Sequence, residues 1–341
     1  MGRRSLYVVA LGFIIGVVAE AGAGEPAFQG GADDQLVMHV VKPQQTDSAI
    51  DRALDDHYAW LDTSVRTNNK LFVFMPGTAT PPGAYQLVQQ EAARLGYHVI
   101  GLMYPNSVKL AVACPLTGDP DACFENARLE ILDGIPRRSV VEVSEPNSID
   151  NRLTKLLGYL ADNHPDEGWS RFLAHGKPKW SQIAVGGHSQ GGGEAAMIAK
   201  LRRVARVVLF SSVPDKGHMT LAIPWIATHV TNAERYWGLA HDRDPAFPAF
   251  HANWDALGMT AFGGDVAPET SSPPYELTHM LVTDLAPHAS SDFHGSPVLD
   301  NPTPRALDGT PALRDAWRYL LSARAADEDH ADEDDEDEGD Q

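Results

Sequence analysis

Cysteine, clustered basic residues and long apolar runs are all scarce in this sequence. Two cysteines in 341 residues exclude a fold that is stabilised by many disulfides and a metal site with several cysteine ligands. The 27 Lys and Arg residues form no basic stripe, which argues against a nucleic-acid partner, because phosphates are neutralised by clustered cations. No segment repeats at the spacing of a solenoid or a propeller. What remains is the composition of a globular protein, with 43% hydrophobic and 21% charged residues.

The first residues have the pattern of a secretory signal peptide. Arg3 and Arg4 precede an apolar stretch at 6–19, and an Ala-Gly-Ala cleavage site follows it. The stretch is shorter than the roughly 20 residues of a membrane-spanning helix. We therefore predict a signal peptide at 1–23 and no transmembrane anchor. The mature protein would begin near Gly24 and work outside the cytoplasm, in the periplasm or the medium.

Much of the formal charge of −19 is concentrated at the other end of the chain. Eleven acidic side chains lie between residues 327 and 340. Such a run repels itself and cannot bury enough apolar surface to offset its ordering entropy. The sequence therefore predicts a disordered, solvated tail at 326–341.

The two cysteines, Cys114 and Cys123, lie in one polar segment with eight residues between them. In an oxidising compartment, an isolated close pair favours a local disulfide. A metal site would need His or Cys partners at suitable spacing, and none flanks the pair. We predict a disulfide between them.

Short apolar runs alternate with helical patterns along most of the chain, which is typical of βαβ units around a mostly parallel sheet. Residues 106–146 interrupt this alternation, with a short helical piece near 126–132, and are interpreted as an insertion over one end of the sheet. The predicted strands are 35–42, 58–65, 71–75, 97–104, 182–185, 204–210, 235–240 and 279–285. The predicted helices are 85–95, 148–163, 190–202, 247–257 and 311–322.

The segment Gly187-His188-Ser189-Gln190-Gly191 matches the G-x-S-x-G nucleophile elbow. An apolar strand-like run precedes it and an Ala-rich helical run follows it, which is the context the motif requires. The serine of an elbow lies on a sharp, strained turn, and the residues two positions to either side must be small to avoid a collision. The motif predicts Ser189 as a nucleophile, with His188 packed beside it.

The loop after the 71–75 strand is the second element that such a mechanism needs. An oxyanion hole takes one backbone N–H from the residue after the nucleophile and one from the loop after the third strand. This assigns Gln190 and the region of Gly77 and Thr78, with Thr78 preferred, since Pro76 has no N–H. A simple strand-ending turn is the alternative interpretation of this loop.

The partners of the serine should follow in the order acid, then histidine. Asp244, directly before a proline and just past the 235–240 strand, is the preferred acid, and Asp242 is the alternative. His294 is the preferred base because the glycine after it frees the backbone, and His288 is the alternative. The acid would hold the imidazole in one tautomer and stabilise its cation. The remaining histidines are expected on the surface or beside the site.

Together, the Pro-Gly-Thr loop after a strand, the GHSQGG elbow, the HDRD segment and the downstream histidine resemble the bacterial secreted α/β-hydrolase superfamily, esterase and lipase branch. The resemblance covers roughly residues 35–323. It implies an α/β-hydrolase domain at 24–325 with a cap-like insertion at 106–146. It also implies a Ser-His-Asp mechanism with no cofactor or metal, and a small-molecule or lipid-like ester substrate. The oxyanion loop departs from the lipase pattern, with Met-Pro-Gly-Thr in place of His-Gly-Gly.

Three other interpretations stay open at the level of sequence. A peptidase, a thioesterase or an acyltransferase could use the same triad. A hydrolase fold can also be kept as a non-catalytic binding module. Metal-assisted hydrolysis would recruit acidic and imidazole ligands, although no zinc-protease spacing is present. Those ligands would be His241, Asp242, Asp244, Asp292 and His294.

Overall fold

The computed structural model describes Gly2 and residues 35–324, and residues 35–324 contain an eight-stranded sheet with helices on both faces. The predicted signal peptide and the acidic tail lie outside these residues. The strands are β1 Leu36–Val41, β2 His57–Asp62, β3 Leu71–Met75, β4 His98–Gly101, β5 Leu173–Ala174, β6 Lys177–Pro178, β7 Ile183–His188, β8 Arg206–Phe210, β9 Tyr236–His241 and β10 Met280–Thr283. The α-helices are α1 Pro43–Thr46, α2 Gln86–Arg94, α3 Leu110–Ala113, α4 Pro120–Asp133, α5 Ile149–Asn163, α6 Gln190–Leu201, α7 Phe247–Ala256 and α8 Arg314–Ser322.

The strand order in the large sheet is β1-β2-β4-β3-β7-β8-β9-β10. Strand β2 runs antiparallel to both of its neighbours, and every pairing from β4 to β10 is parallel. The predicted mostly parallel α/β sheet is therefore confirmed. Within the described part of the chain, no helix is both long enough and apolar enough to cross a membrane.

Strand β3 shows why its sequence is a continuous apolar run. Leu71, Val73 and Met75 belong to the buried cluster that also contains residues of α5 and α6. Phe72 and Phe74 belong to a second cluster, which contains residues of α2 and α8. Successive side chains of a strand point to opposite faces, so a strand that is covered on both faces has no polar position.

The parallel strands bring their carboxyl ends to one edge of the sheet. The loops that leave β3, β7, β9 and β10 at this edge contain the four predicted site regions, around Thr78, Ser189, Asp244 and His294. Ligands of open α/β sheets bind outside the carboxyl ends of the strands. The fold therefore collects residues that are up to 216 positions apart, from Thr78 to His294, at the edge where a site is expected.

The insertion at 106–146 is more helical than predicted. Helix α4 has 14 residues, twice the length of the predicted piece at 126–132. The side chain of Asp119 accepts a hydrogen bond from the N–H of Ala122, and Pro120 occupies the first turn, so the helix begins with ordinary start signals. Buried Arg128 and Glu130 interrupt the apolar periodicity by which helices are found. The predicted disulfide is confirmed, with Cys114 and Cys123 joined at an S–S distance of 2.08 Å.

The β5–β6 hairpin was not predicted from the sequence. Its turn residues, His175 and Gly176, both have positive φ values, of 51° and 73°. Two positive φ values suit the tight turns that join twisted strands. The strands have only two residues each, too few for an alternating pattern to be visible in the sequence.

Candidate active site

Ser189 lies between the last residue of β7 and the first residue of α6. Its backbone has φ 53° and ψ −118°, a conformation that side-chain-bearing residues rarely adopt. Two hydrogen bonds hold the residue there: its N–H donates to the carbonyl of Phe210 at 2.9 Å, and its carbonyl accepts from Ser212 Oγ at 2.8 Å. A strained backbone of this kind persists only where surrounding contacts hold it in place, and such strain is concentrated at functional sites.

The two glycines of the motif are required by close backbone contacts. A Cβ atom on Gly187 would lie 2.5 Å from the backbone carbon of Gly191. A Cβ atom on Gly191 would lie 2.1 Å from the carbonyl oxygen of Met75, at the end of β3. Neither distance is compatible with a side chain, so the turn can form only with glycine at both positions.

The structure brings His294 and Asp244 into direct contact. His294 Nδ1 lies 2.6 Å from Asp244 Oδ2, and the other carboxylate oxygen accepts the N–H of Ala246 at 2.8 Å. Asp244 is buried, whereas 34% of the His294 side chain is exposed. A buried carboxylate that is fixed by a backbone N–H can hold the imidazole in one orientation, with Nε2 directed away from it.

The two alternative residues lie elsewhere. Asp242 is 48% exposed and lies 2.9 Å from Nδ1 of buried His241. The side chain of His288 is exposed, and its backbone N–H donates to the carbonyl of Pro302. Of the candidate acids and bases, Asp244 and His294 are the pair that the fold joins.

Ser189 and His294 line one cavity of about 450 Å³, together with Thr78, Gln190 and Asp244. Within residues 35–324, Ser189 Oγ makes no hydrogen bond, to His294 or to any other residue. Part of the lining comes from the 106–146 insertion, through Lys109, Leu110, Ala111, Val112, Pro115, Phe124 and Arg128. The insertion therefore shapes the space in front of the serine.

The loop at 76–80 offers one backbone N–H to this cavity. Pro76 has no N–H, and three further N–H groups of the loop are already bonded: Gly77 to Tyr85 Oη at 3.1 Å, Ala79 to the carbonyl of Asn106 at 3.0 Å, and Thr80 to the carbonyl of Gly77 at 3.2 Å. In the described structure, the N–H of Thr78 has no acceptor.

Gln190 supplies the second N–H of the proposed pair. It is the first residue of α6, where backbone N–H groups have no partner within the helix. The hydroxyl of Thr78 donates to Gln190 Oε1 at 3.0 Å and ties the loop to the helix. The two backbone N–H groups are therefore held on adjoining segments beside Ser189, where the positive end of the helix dipole also favours an anion.

His188, the variable residue before the serine, connects the oxyanion loop to the loop of the histidine. Its Nε2 lies 3.0 Å from the carbonyl of His294, which can only accept, so Nε2 carries the proton. Its Nδ1 then accepts from Tyr85 Oη at 2.9 Å, and Tyr85 Oη accepts the N–H of Gly77. Burial, with a contribution from the charge of His294, lowers the pKa of His188 to about 3. A neutral His188 is what this chain of hydrogen bonds requires.

A buried ionic network behind Gln190 was missed by the sequence analysis. Arg128 of α4 donates to both carboxylate oxygens of Asp215, to Glu194 Oε1 at 2.8 Å and to the carbonyl of Gln190 at 3.1 Å. Burial raises the pKa of Glu194 to about 8, although Arg128 pulls it down. The network joins the insertion to the start of α6, and a buried ion pair that is broken on one side is strongly destabilising.

The ligands suggested for metal-assisted hydrolysis do not converge. Among the described residues, the group of three whose ligand atoms all lie within 4.8 Å is His39, His164 and Glu167, away from Ser189. The prediction that the other histidines lie on the surface or beside the site is wrong for several of them. His57, His98 and His279 are buried, because they pack in or against the sheet.

No protein-family model matches the chain, and a search of curated proteins finds no significant match.

Proposed function

We propose that this protein is an exported serine hydrolase of the α/β-hydrolase fold that cleaves a carboxylic ester. The proposal is based on the arrangement of three residues. A serine in a strained strand-to-helix turn shares a cavity with a histidine, and Nδ1 of that histidine lies 2.6 Å from a buried aspartate. A serine is a weak nucleophile unless an oriented base lies beside it, and this arrangement supplies the base and its orienting carboxylate. The Cys114–Cys123 disulfide supports the proposed location outside the cytoplasm.

In the proposed mechanism, Ser189 Oγ attacks the carbonyl carbon of the ester while its proton moves to His294 Nε2. Asp244 stabilises the imidazolium through Nδ1–H without taking its proton. The N–H groups of Gln190 and Thr78 bind the oxyanion of the tetrahedral intermediate. The C–O bond then breaks, and His294 returns the proton to the leaving alcohol. Water, deprotonated by His294, attacks the acyl-enzyme and releases the acid together with the free serine.

The missing hydrogen bond from Ser189 to His294 is compatible with this mechanism. Catalytic hydrogen bonds are often long before the substrate binds and tighten in the Michaelis complex. His294 is partly exposed, lies on a loop and lines the same cavity as Ser189, so its ring has room to move when a substrate binds.

We expect the purified protein to react with a fluorophosphonate probe at one residue and to hydrolyse p-nitrophenyl esters. The cavity of about 450 Å³ should favour short and medium acyl chains over long ones. The measurement is intact mass after labelling, together with kcat/KM across a series of acyl lengths. Heat-denatured protein is the control and should not label.

A folded protein that neither labels nor hydrolyses any ester would favour the binding module instead. If the protein turns over peptides or thioesters but no carboxylic ester, it would instead be a peptidase or a thioesterase that uses the same triad.

The rim of the cavity suggests which esters are preferred. Its walls are mainly apolar, but exposed Lys109 and Lys216 lie at its edge. Within residues 35–324, neither lysine has a carboxylate partner, although the chain is strongly acidic. The two carboxylates in the lining, Asp215 and Asp244, are bonded to Arg128 and His294. An ester with a second, free carboxylate would find two unpaired cations there.

We therefore expect a higher kcat/KM for the p-nitrophenyl monoester of a short dicarboxylic acid than for the neutral ester of equal length. Lys109→Met and Lys216→Met should each reduce this preference about fivefold, since an exposed ion pair contributes up to about 1 kcal/mol. Turnover of the neutral ester should stay near the wild-type value. Lys177→Met, on the exposed β6 strand, is the matched control. An unchanged preference in both rim variants would contradict the prediction.

A further inference from the structure

A group of three potential metal ligands lies where strand β1 meets the end of helix α5. Nε2 of His39 is 2.9 Å from each carboxylate oxygen of Glu167. Nδ1 of His164 is 3.9 Å from Oε1 of Glu167, and all three ligand atoms lie within 4.8 Å of one another. No step of the proposed mechanism uses these residues. We propose that His39, His164 and Glu167 form a binding site for a divalent transition metal, with zinc as the preferred ion.

The donor set selects the class of ion. Two imidazoles and one carboxylate suit zinc and its neighbours in the first transition series, whereas calcium and magnesium prefer sites made wholly of oxygen. At bond lengths of about 2.0–2.2 Å, tetrahedral ligands are about 3.3 Å apart. The observed separations of 2.9 Å and 3.9 Å lie on either side of that value. Side-chain exposures of 16% for His39, 30% for His164 and 20% for Glu167 leave room for water as the fourth ligand.

Neighbouring groups orient the carboxylate. The indole N–H of Trp169 donates to Glu167 Oε2 at 2.6 Å, which leaves Oε1 directed toward both histidines. Nε2 of His98 donates to the backbone carbonyl of Glu167 at 2.7 Å. Metal ligands are commonly held by hydrogen bonds of this kind, which fix the ligand before the ion arrives.

Binding requires one side chain to move. The rings of His39 and His164 are stacked, with centroids 3.7 Å apart and planes inclined by 25°. Imidazole binds a metal through a lone pair in the plane of its ring, so two stacked rings cannot both point at one ion. His164 is the more exposed ring and can rotate toward Oε1 of Glu167. His39 would lose its hydrogen bond to the carboxylate and gain the metal in its place.

The bound ion would connect parts of the chain that are far apart in sequence. His39 belongs to an edge strand, and Glu167 follows α5 at a separation of 128 residues. An ion that binds the folded chain and not the unfolded chain stabilises the fold by mass action. Zinc should therefore raise the melting temperature, and this readout does not depend on the proposed hydrolase activity.

The test uses the full-length protein, treated with EDTA and then desalted. We expect isothermal titration calorimetry to show one zinc ion per chain with a dissociation constant at or below about 10 µM. Melting temperature should rise by about 3 °C or more in excess zinc and stay unchanged in magnesium. Cobalt, as a spectroscopic substitute for zinc, should give the visible absorption of a tetrahedral site.

His39→Gln and His164→Gln should each weaken zinc binding at least tenfold. The side chain of His164 is only half-buried, so its variant should fold, and His218→Gln, at an exposed histidine, is the matched control. Zinc affinity equal to wild type in both ligand variants would overturn the site and place the ion elsewhere, for example on the acidic run at 327–340. Absence of binding by the wild-type protein would overturn it as well.

Discussion

Ser189→Ala is expected to abolish ester turnover and fluorophosphonate labelling while the protein stays folded. Losing the nucleophile of a serine hydrolase costs about six orders of magnitude in kcat, which brings the rate below detection. The strained turn should survive, because the Ser189 backbone is bonded to the carbonyl of Phe210 and the hydroxyl of Ser212, and the glycines at 187 and 191 remain. Alanine tolerates the positive φ of position 189 about as well as serine does.

The measurement combines initial rates, intact mass after labelling and a thermal melt. Ser291→Ala, an exposed serine on the loop before His294, is the matched control and should keep full activity. The melting temperature of Ser189→Ala should lie within about 2 °C of the wild-type value. Labelling that persists in Ser189→Ala would show that another residue is the nucleophile. If Ser189→Ala does not fold, the same measurements are made on Ser189→Cys.

The central strands of the sheet could be predicted because most of their side chains are apolar and buried. Strand β3, at 71–75, packs between two helical layers and has no polar position. Strand β8 has one, Arg206, which is buried and donates to the carbonyl of Leu320. Helix α4 could be located only in part, since Arg128 and Glu130 turn inward where the pattern expects apolar residues. Their burial depends on partners such as Asp215, which lies 87 positions away from Arg128. Local periodicity contains no information about such partners.

The candidate site, like the fold, could be predicted from the sequence only in part. The position of Ser189 follows from a local motif, because the elbow is one continuous turn whose glycines have a steric role. Thr78 could be preferred from the absence of an N–H in Pro76, but the bonding of its neighbours became visible only in the fold. The hydrogen bonds from Gly77 through Tyr85 to His188 join residues on three separate segments. No motif marks them in the sequence.

Gly295 does not act through backbone freedom, which is the reason for which the sequence favours His294. Its φ lies outside the left-handed region. A Cβ atom at this position would lie 2.3 Å from Asp292 Oδ2, so a larger residue would force that side chain to move. Asp292 also accepts the N–H of Gly295 at 2.8 Å and so closes the turn that presents the ring.

The position of His294 is set by contacts on three sides. Asp244 contacts Nδ1, the ring of His188 lies 4.7 Å away, and the ring of Phe250 lies 5.9 Å away. The backbone carbonyl of His294 also accepts a hydrogen bond from Nε2 of the His188 ring. His288 has no comparable set of ring contacts among the described residues, and its side chain is exposed. A general base must be oriented by its acid and lie near its nucleophile, and His294 contacts Asp244 and shares a cavity with Ser189.

His294→Ala is therefore expected to eliminate measurable ester turnover, whereas His288→Ala should keep at least a tenth of it. Losing the base of a triad costs several orders of magnitude in kcat, and losing a bystander costs little. Both variants should fold, since the side chains they remove are partly or fully exposed. The checks are kcat and KM on one p-nitrophenyl ester, with Asp244→Asn as a third variant that keeps the shape of the acid but disturbs the tautomer of His294. Loss of activity in His288→Ala alone would move the base to that residue. Mild losses in all three variants would contradict a triad at this site, because Ser189 would then react without an oriented base.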